Sequence, residues 1–284
     1  APAMGFGVAE GAVYLGKSMG AGEMMLDLPF TYSTAVNAAL GAIPGSGVGN
    51  NITAGLGQAQ AYVSWKYENG FSWKMGQFDS LFRFEGNDSW DRFFSNAGML
   101  AEMVPVTHTG LLVGYKASDA LGVHFLVSNH GAQGAQTADK DAKFDYGVKV
   151  NANTDMVNAN VGALFSAVDS TGDYEWTINA SAGNKMGALS STVEFTAVNH
   201  KAASKNDMGV GGHFEYAMDE SIDLGASVEW MKNVSDVKTL ELRVGPTFNM
   251  SKDLHVRLAY GYSKADSANA EAAQTIGLNA VHRF

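Results

Sequence analysis

Between Gly76 and Ser95 the sequence gathers six aromatics and six charges: Phe78, Phe82, Phe84, Trp90, Phe93 and Phe94 with Asp79, Arg83, Glu85, Asp88, Asp91 and Arg92. Such an insert is too apolar for a solvated loop and too charged for a membrane segment. A loop folded into a water-filled lumen satisfies both, its aromatics packed on the wall and its charges meeting water. Non-helical backbone at membrane depth is tolerated only in such a place. Asp79, Glu85, Asp88 and Asp91 then face the wall bases Lys74, Arg243 and Arg257, and Arg83 and Arg92 complete the set. A field across a constriction follows, because rings of charged side chains set ion selectivity. The plainer reading pairs Arg83, Arg92 and these acids within a packed loop, as surface and loop charges commonly do.

Other chemistries find little support. Seven His and many Ser offer nominal partners, but no His-Glu-x-x-His helix is present. Catalysis needs a converging constellation, so no enzyme and no catalytic residue is expected. With no Cys there is no disulfide, thiolate metal site or Cys nucleophile. The Asp/Asn-rich part of the insert lacks the ordered ligand spacing of a calcium loop, including its terminal Glu. No metal and no cofactor is expected. A net charge of −10 without a basic cluster argues against a nucleic-acid partner.

The elements that would position these groups are strands. Of 284 residues, 46% are hydrophobic but only 17% charged, against roughly 25% charged in a typical soluble domain. No window approaches the ~20 apolar residues of a membrane helix, and mean hydropathy is near zero. A barrel spreads its hydrophobicity over every second residue in this way. From Gln58 the alternation is regular, with Ala61, Val63, Trp65 and Tyr67 on one face and Gln60, Tyr62, Ser64 and Lys66 on the other. Glu68-Asn69-Gly70 reads as a tight hairpin turn. Strands recur at 71–77, 109–116, 121–128, 144–151, 157–167, 174–181, 191–198, 208–216, 222–231, 237–248 and 254–262, and a closing strand follows. With one more from the opening stretch, where Gly11–Lys17 and Glu23–Leu28 both alternate, the count is about 14. It is 12 if the first hairpin stays out of the sheet.

The expected fold is therefore all-β: a transmembrane antiparallel up-and-down β-barrel, one domain over residues 1–284. Long loops fall at about 18–57 and 78–106, the second folding inward after the third strand. Ser33–Ile43, closed by Pro44-Gly45, reads as a short helix within the first loop. Short turns at 68–70, 117–119, 153–154, 184–185, 219–220 and 251–253 alternate with longer links such as 129–143, 200–207 and 264–274. That asymmetry suits short periplasmic turns and longer outer loops.

A soluble β-sandwich also alternates, but here one face is consistently apolar or aromatic. Examples are Phe144/Tyr146/Val148/Val150 and Leu254/Val256/Leu258/Tyr260/Tyr262. Reversing the phase would aim Lys149, Arg243 and Arg257 at lipid, at about 2–4 kcal/mol each near the midplane. The lumen then receives Lys66, Lys74, Asp145, Lys149, Glu175, Glu194, Glu215, Asp223, Glu229, Glu241, Arg243, Arg257 and Arg283, with His124, His213 and His255. Charges of both signs in that number require water.

The chain ends Thr275-Ile276-Gly277-Leu278-Asn279-Ala280-Val281-His282-Arg283-Phe284, with Ile276, Leu278, Ala280 and Phe284 on one side of a strand. This ending resembles the closing strand of bacterial outer-membrane barrels, whose last residue is typically Phe. Gly76-Gln77-Phe78, then Phe84-Glu85-Gly86-Asn87-Asp88-Ser89 and Phe93-Phe94-Ser95, resembles the OmpL-like β-barrel porin family. Where a small or proline-containing tract is expected after Gly-x-Phe, this chain has Asp79-Ser80-Leu81-Phe82-Arg83.

The resemblance implies an outer-membrane porin for passive diffusion of small hydrophilic solutes and ions, with a weak preference for cations suggested by the net charge. Its surroundings would be outer-membrane lipid and lipopolysaccharide, in a homo-oligomer or as a lone barrel. The alternative is a non-conducting structural or interaction barrel plugged by Met24–Asn50. The start Ala1-Pro2-Ala3 has no charged n-region or apolar h-region, so a mature chain with its export signal cleaved is expected.

Overall fold

A computed structural model describes residues 8–32, 52–53, 59–86, 91–94, 96–130, 143–167, 173–201, 203–267 and 270–282. The strands are β1 (Val8–Met19), β2 (Gly22–Tyr32), β3 (Ile52–Thr53), β4 (Gln60–Lys66), β5 (Phe71–Asp79), β6 (Thr107–Lys116), β7 (Leu121–Asn129) and β8 (Phe144–Asn153). They continue as β9 (Asn158–Ala167), β10 (Tyr174–Met186), β11 (Leu189–His200), β12 (Lys205–Ala217), β13 (Ile222–Lys232), β14 (Lys238–Asn249), β15 (Leu254–Ala265) and β16 (Ala273–His282). One short helix, α1 (Met99–Glu102), lies between β5 and β6.

Fifteen of these strands form one antiparallel up-and-down path, each paired with the next, while two-residue β3 sits off the path against β2. Among the described residues β1 pairs only with β2 and β16 only with β15, so no pairing closes the sheet there. The all-β reading holds, with one strand more than the 14 expected. Both alternating stretches near the start are strands, joined at Gly20-Ala21 with Gly20 at φ +65°. The expected loop at 18–57 is therefore strand as far as Tyr32, and Met24–Tyr32 cannot serve as a plug because β2 pairs on both edges. The helix expected at 33–43 lies outside the described residues. One expected turn moves: Asn184-Lys185 stay within β10, and the chain reverses at Gly187, whose φ of +59° suits a residue without Cβ.

Burial is inverted relative to a soluble protein. Leu15, Met75, Phe125, Val193 and Val244 are exposed on the outer face, whereas Asp145, Glu194, Glu229, Arg243 and Arg257 are buried on the inner one. The alternation predicted the two faces correctly along β8, β13, β14 and β15. Water-insoluble side chains point where a soluble protein would present charge, which suits a lipid surround. The inner face has one apolar island, however. Leu112 of β6, Leu126 of β7 and Leu164 of β9 point inward and pack with Phe78, Phe82 and Val104. They receive the insert between β5 and β6.

Candidate functional site

The insert leaves β5 at Ser80 and returns at Val106, where the Ser80 N–H donates to the Val106 carbonyl at 2.9 Å and closes its neck. Ser80 Oγ also lies 3.1 Å from His108 Nε2 of β6. Phe82 then turns onto the wall and is fully buried. Its seat is two glycines: a Cβ on Gly147 of β8 or Gly162 of β9 would come within 2.7 Å of the ring. Lys149, next inward on β8, donates its Nζ hydrogen to the Leu81 carbonyl. Farther along, Leu100 of α1 reaches β12 and Phe93 reaches β13, where Gly209 and Gly225 leave space for them. The loop thus touches the inner wall from β6 to β13.

Its strongest tie is polar. Arg243 of β14 donates from Nε to Ser227 Oγ at 2.9 Å and from Nη1 to the Asn96 carbonyl at 2.8 Å. Nη2 donates to Glu229 Oε1 at 2.6 Å and to Glu85 Oε1 at 3.2 Å. Glu241 Oε1 lies 3.2 Å from Nε, and the Phe94 ring sits under the guanidinium at 5.1 Å. The second oxygen of each acid holds loop backbone. Glu85 Oε2 accepts from the Gly98 N–H at 2.5 Å, and Glu229 Oε2 from the Leu100 N–H at 2.9 Å. These N–H groups lie at the start of α1, where helical backbone has no partner of its own. A Cβ on Gly98 would fall 1.8 Å from Glu229 Oε1, so glycine is required for this approach.

Among the loop acids named from the sequence, Glu85 lies against a wall base. Glu85 meets Arg243, but as a direct ion pair rather than across an open gap. Asp79 is exposed at the end of β5, and Lys74 instead places its Nζ 4.0 Å above the Tyr62 ring and 5.7 Å from that of Phe78. Arg83 is partly buried within the loop. Asp91 and Arg92 border a cavity of about 140 Å³ with Glu85, His213 and Glu215. Arg257 is buried on β15 opposite Thr247, and Lys66 is exposed on β4. Glu194 is buried on β11 and accepts from Asn179 Nδ2 at 2.9 Å. Asp88 and Arg283 lie outside the described residues.

Sequence reasoning missed the seats: Leu112, Leu126 and Leu164, the paired Gly147 and Gly162, and the Gly98 backbone. A signal did exist for the leucines, which occupy inward phase in strands whose other inward positions are Gly or polar (His, Ser, Asn and Lys). Nothing local marks Gly98 or Asn96.

An inside-out sheet suits a lipid surround, and one family model covers nearly all of the chain. Described as "Putative beta-barrel porin-2, OmpL-like", it matches residues 5–281. This chain belongs to the OmpL-like β-barrel porins. As a member of that family it is a barrel of the bacterial outer membrane and a channel protein rather than an enzyme. No curated protein matches this porin by sequence. Solved structures share its fold. An anion-selective porin from Comamonas acidovorans is 13% identical, with 96% of this chain and 83% of that one covered at a TM-score of 0.61. The outer-membrane channel DcaP of Acinetobacter baumannii is 12% identical, with 98% and 85% covered at 0.62. OprB of Pseudomonas putida is 14% identical, with 93% and 83% covered at 0.63.

Proposed function

We propose that this OmpL-like porin is a passive diffusion channel for small hydrophilic solutes and ions, and that the loop 80–106 sets its narrowest section. The observation that carries the reading is the Arg243 cluster, which fastens the loop to β13 and β14 inside the sheet. A pinned loop narrows a lumen by a fixed amount and leaves the remaining cross-section to water. A weak preference for cations rests on the net charge of −10 and on the acids Asp91 and Glu215 at the cavity beside the loop. The chain resides among outer-membrane lipid and lipopolysaccharide, as one copy of a homo-oligomer.

A second reading is favoured by the span of the loop, which packs from β6 to β13: a plugged barrel with a structural role. Liposome swelling with neutral sugars of graded size separates the two. The channel reading expects swelling with the smallest sugars and a sharp cut-off as size increases. Liposomes that stay osmotically intact with the smallest sugar would leave only the plug.

A further inference from the structure

Beside the loop stands a wall acid that the Arg243 cluster does not use. Glu215 of β12 is exposed on the inner face. Among the described residues no hydrogen bond or ion pair reaches its carboxylate, and Asp223, His213, Arg257 and Lys185 act on it only from farther off. Register defines its place on the wall. Ser190 of β11 and Gly225 of β13 stand directly opposite it, and the next inward residue along β12 is His213, opposite Thr192 and Ser227. Neighbouring strands lie about 4.8 Å apart, and successive inward residues of one strand about 6.7 Å apart.

Two rings of the loop occupy this block of wall. The Phe93 ring lies over Gly225, where a Cβ would come within 2.0 Å of it, and Phe84 packs against the His213 ring at 5.0 Å. Glu215 is therefore next to one ring across the sheet and next to the other along its own strand. Phe84, Phe93, Ser190, Thr192, His213 and Glu215 line the cavity of about 140 Å³. The other charges there leave Glu215 to decide its sign. Glu85 has both oxygens engaged, by Arg243 and by the Gly98 N–H, while Asp91 and Arg92 bring one charge of each sign from the loop.

The geometry points to a binding station for a small organic ammonium ion in this cavity, with Glu215 as its counter-charge, the Ser190 hydroxyl as a further acceptor, and Phe84 and Phe93 around its apolar body. A cation within about 6 Å of a ring centroid is attracted by the negative ring face. A hydrogen bond from an ammonium to a carboxylate is about twice as strong as a neutral one. A cavity of about 150 Å³ accommodates benzene, so the body that fits here has about five to eight non-hydrogen atoms. Both rings are already seated on the wall, which keeps the ordering cost of binding low. The station rests on the diffusion-channel reading for its role, holding a solute beside the narrowest section, but its binding step does not.

Calorimetric titration of the purified barrel in detergent tests this, using n-butylammonium with n-butanol and butyrate as its neutral and anionic counterparts. The readout needs no conductance, so a barrel that fails to conduct leaves this test standing. One butylammonium per chain is expected, bound at least about 10-fold more tightly than either counterpart, and Glu215→Gln should weaken it by about 10-fold or more. Phe84→Leu, which keeps an apolar side chain but removes the ring face, should cost about 2–5-fold. Asp223→Asn removes a charge of the same sign outside the cavity lining and should change binding by less than about threefold. Glu215→Gln preserves side-chain shape, and an unchanged far-UV β spectrum shows that each variant is folded. Absence of saturable butylammonium uptake overturns the station. So does equal binding of n-butanol, a Glu215→Gln variant that binds as well as the parent, or equal losses from Asp223→Asn and Glu215→Gln.

Discussion

Arg243 holds Ser227, Asn96, Glu85, Glu229 and Glu241 from one side chain, with 7% of that side chain exposed. Arginine suits this role because its planar fork makes several directed bonds at once. Removing it strands Glu85 and Glu229, whose side chains are 9% and 1% exposed. Arg243→Ala should therefore lower unfolding stability by about 3–5 kcal/mol, measured by urea unfolding from lipid vesicles. Arg243→Lys should recover only part of it, since an ammonium cannot reproduce the fork. A loss below about 1 kcal/mol would show that the loop is held elsewhere. The inward phase of Arg243 was legible from alternation alone, and Glu85 stood out as one of the charges in the insert. Their pairing was not legible. They lie 158 residues apart, and a period of two tells which face a side chain takes, never which distant segment it will meet.

At the scale of elements, the loop 80–106 and the turn after β13 show two ways of fixing irregular backbone. The loop borrows the wall, with Phe82 over glycines and the start of α1 on two carboxylates. The turn fixes itself. Asp236 adopts a left-handed φ of +64°, and its carboxylate is gripped by Lys205 Nζ of β12 at 2.8 Å and Lys232 Nζ of β13 at 2.7 Å. The two ammonium groups hold its pKa down to about 2, from an ordinary value of 3.8. Because the folded value is the lower one, the clamp's contribution is present above pH 3.8 and is lost as pH falls through about 2. A carboxyl ¹³C titration of Asp236 should show that depressed midpoint, and a midpoint near 4, the ordinary Asp value, would mean the lysines do not engage it. The sequence marked the insert by composition, since aromatics and charges alternate there without a strand period. It gave no hint of this clamp, whose residues lie on two strands and a turn and carry no shared pattern.

For the molecule as a whole, the decisive feature is which solvent each face meets. Strand positions and facing were readable because hydrocarbon outside and water inside impose a period of two. The number of strands was less readable. Gly11–Lys17 and Glu23–Leu28 are short and glycine-flanked, and it is pairing with each other and with β4 that makes both strands. The apolar island of Leu112, Leu126 and Leu164 breaks the polar-inside rule, because what covers it is the loop rather than water. A porin with a pinned inner loop should conduct steadily through what the loop leaves open. Planar-bilayer recording of the purified protein tests this most directly. Uniform single-channel steps are predicted, with larger steps once the loop is shortened between Ser80 and Val106 and a reversal potential slightly favouring cations. A membrane-inserted barrel without steps, both intact and with the loop shortened, would contradict the account.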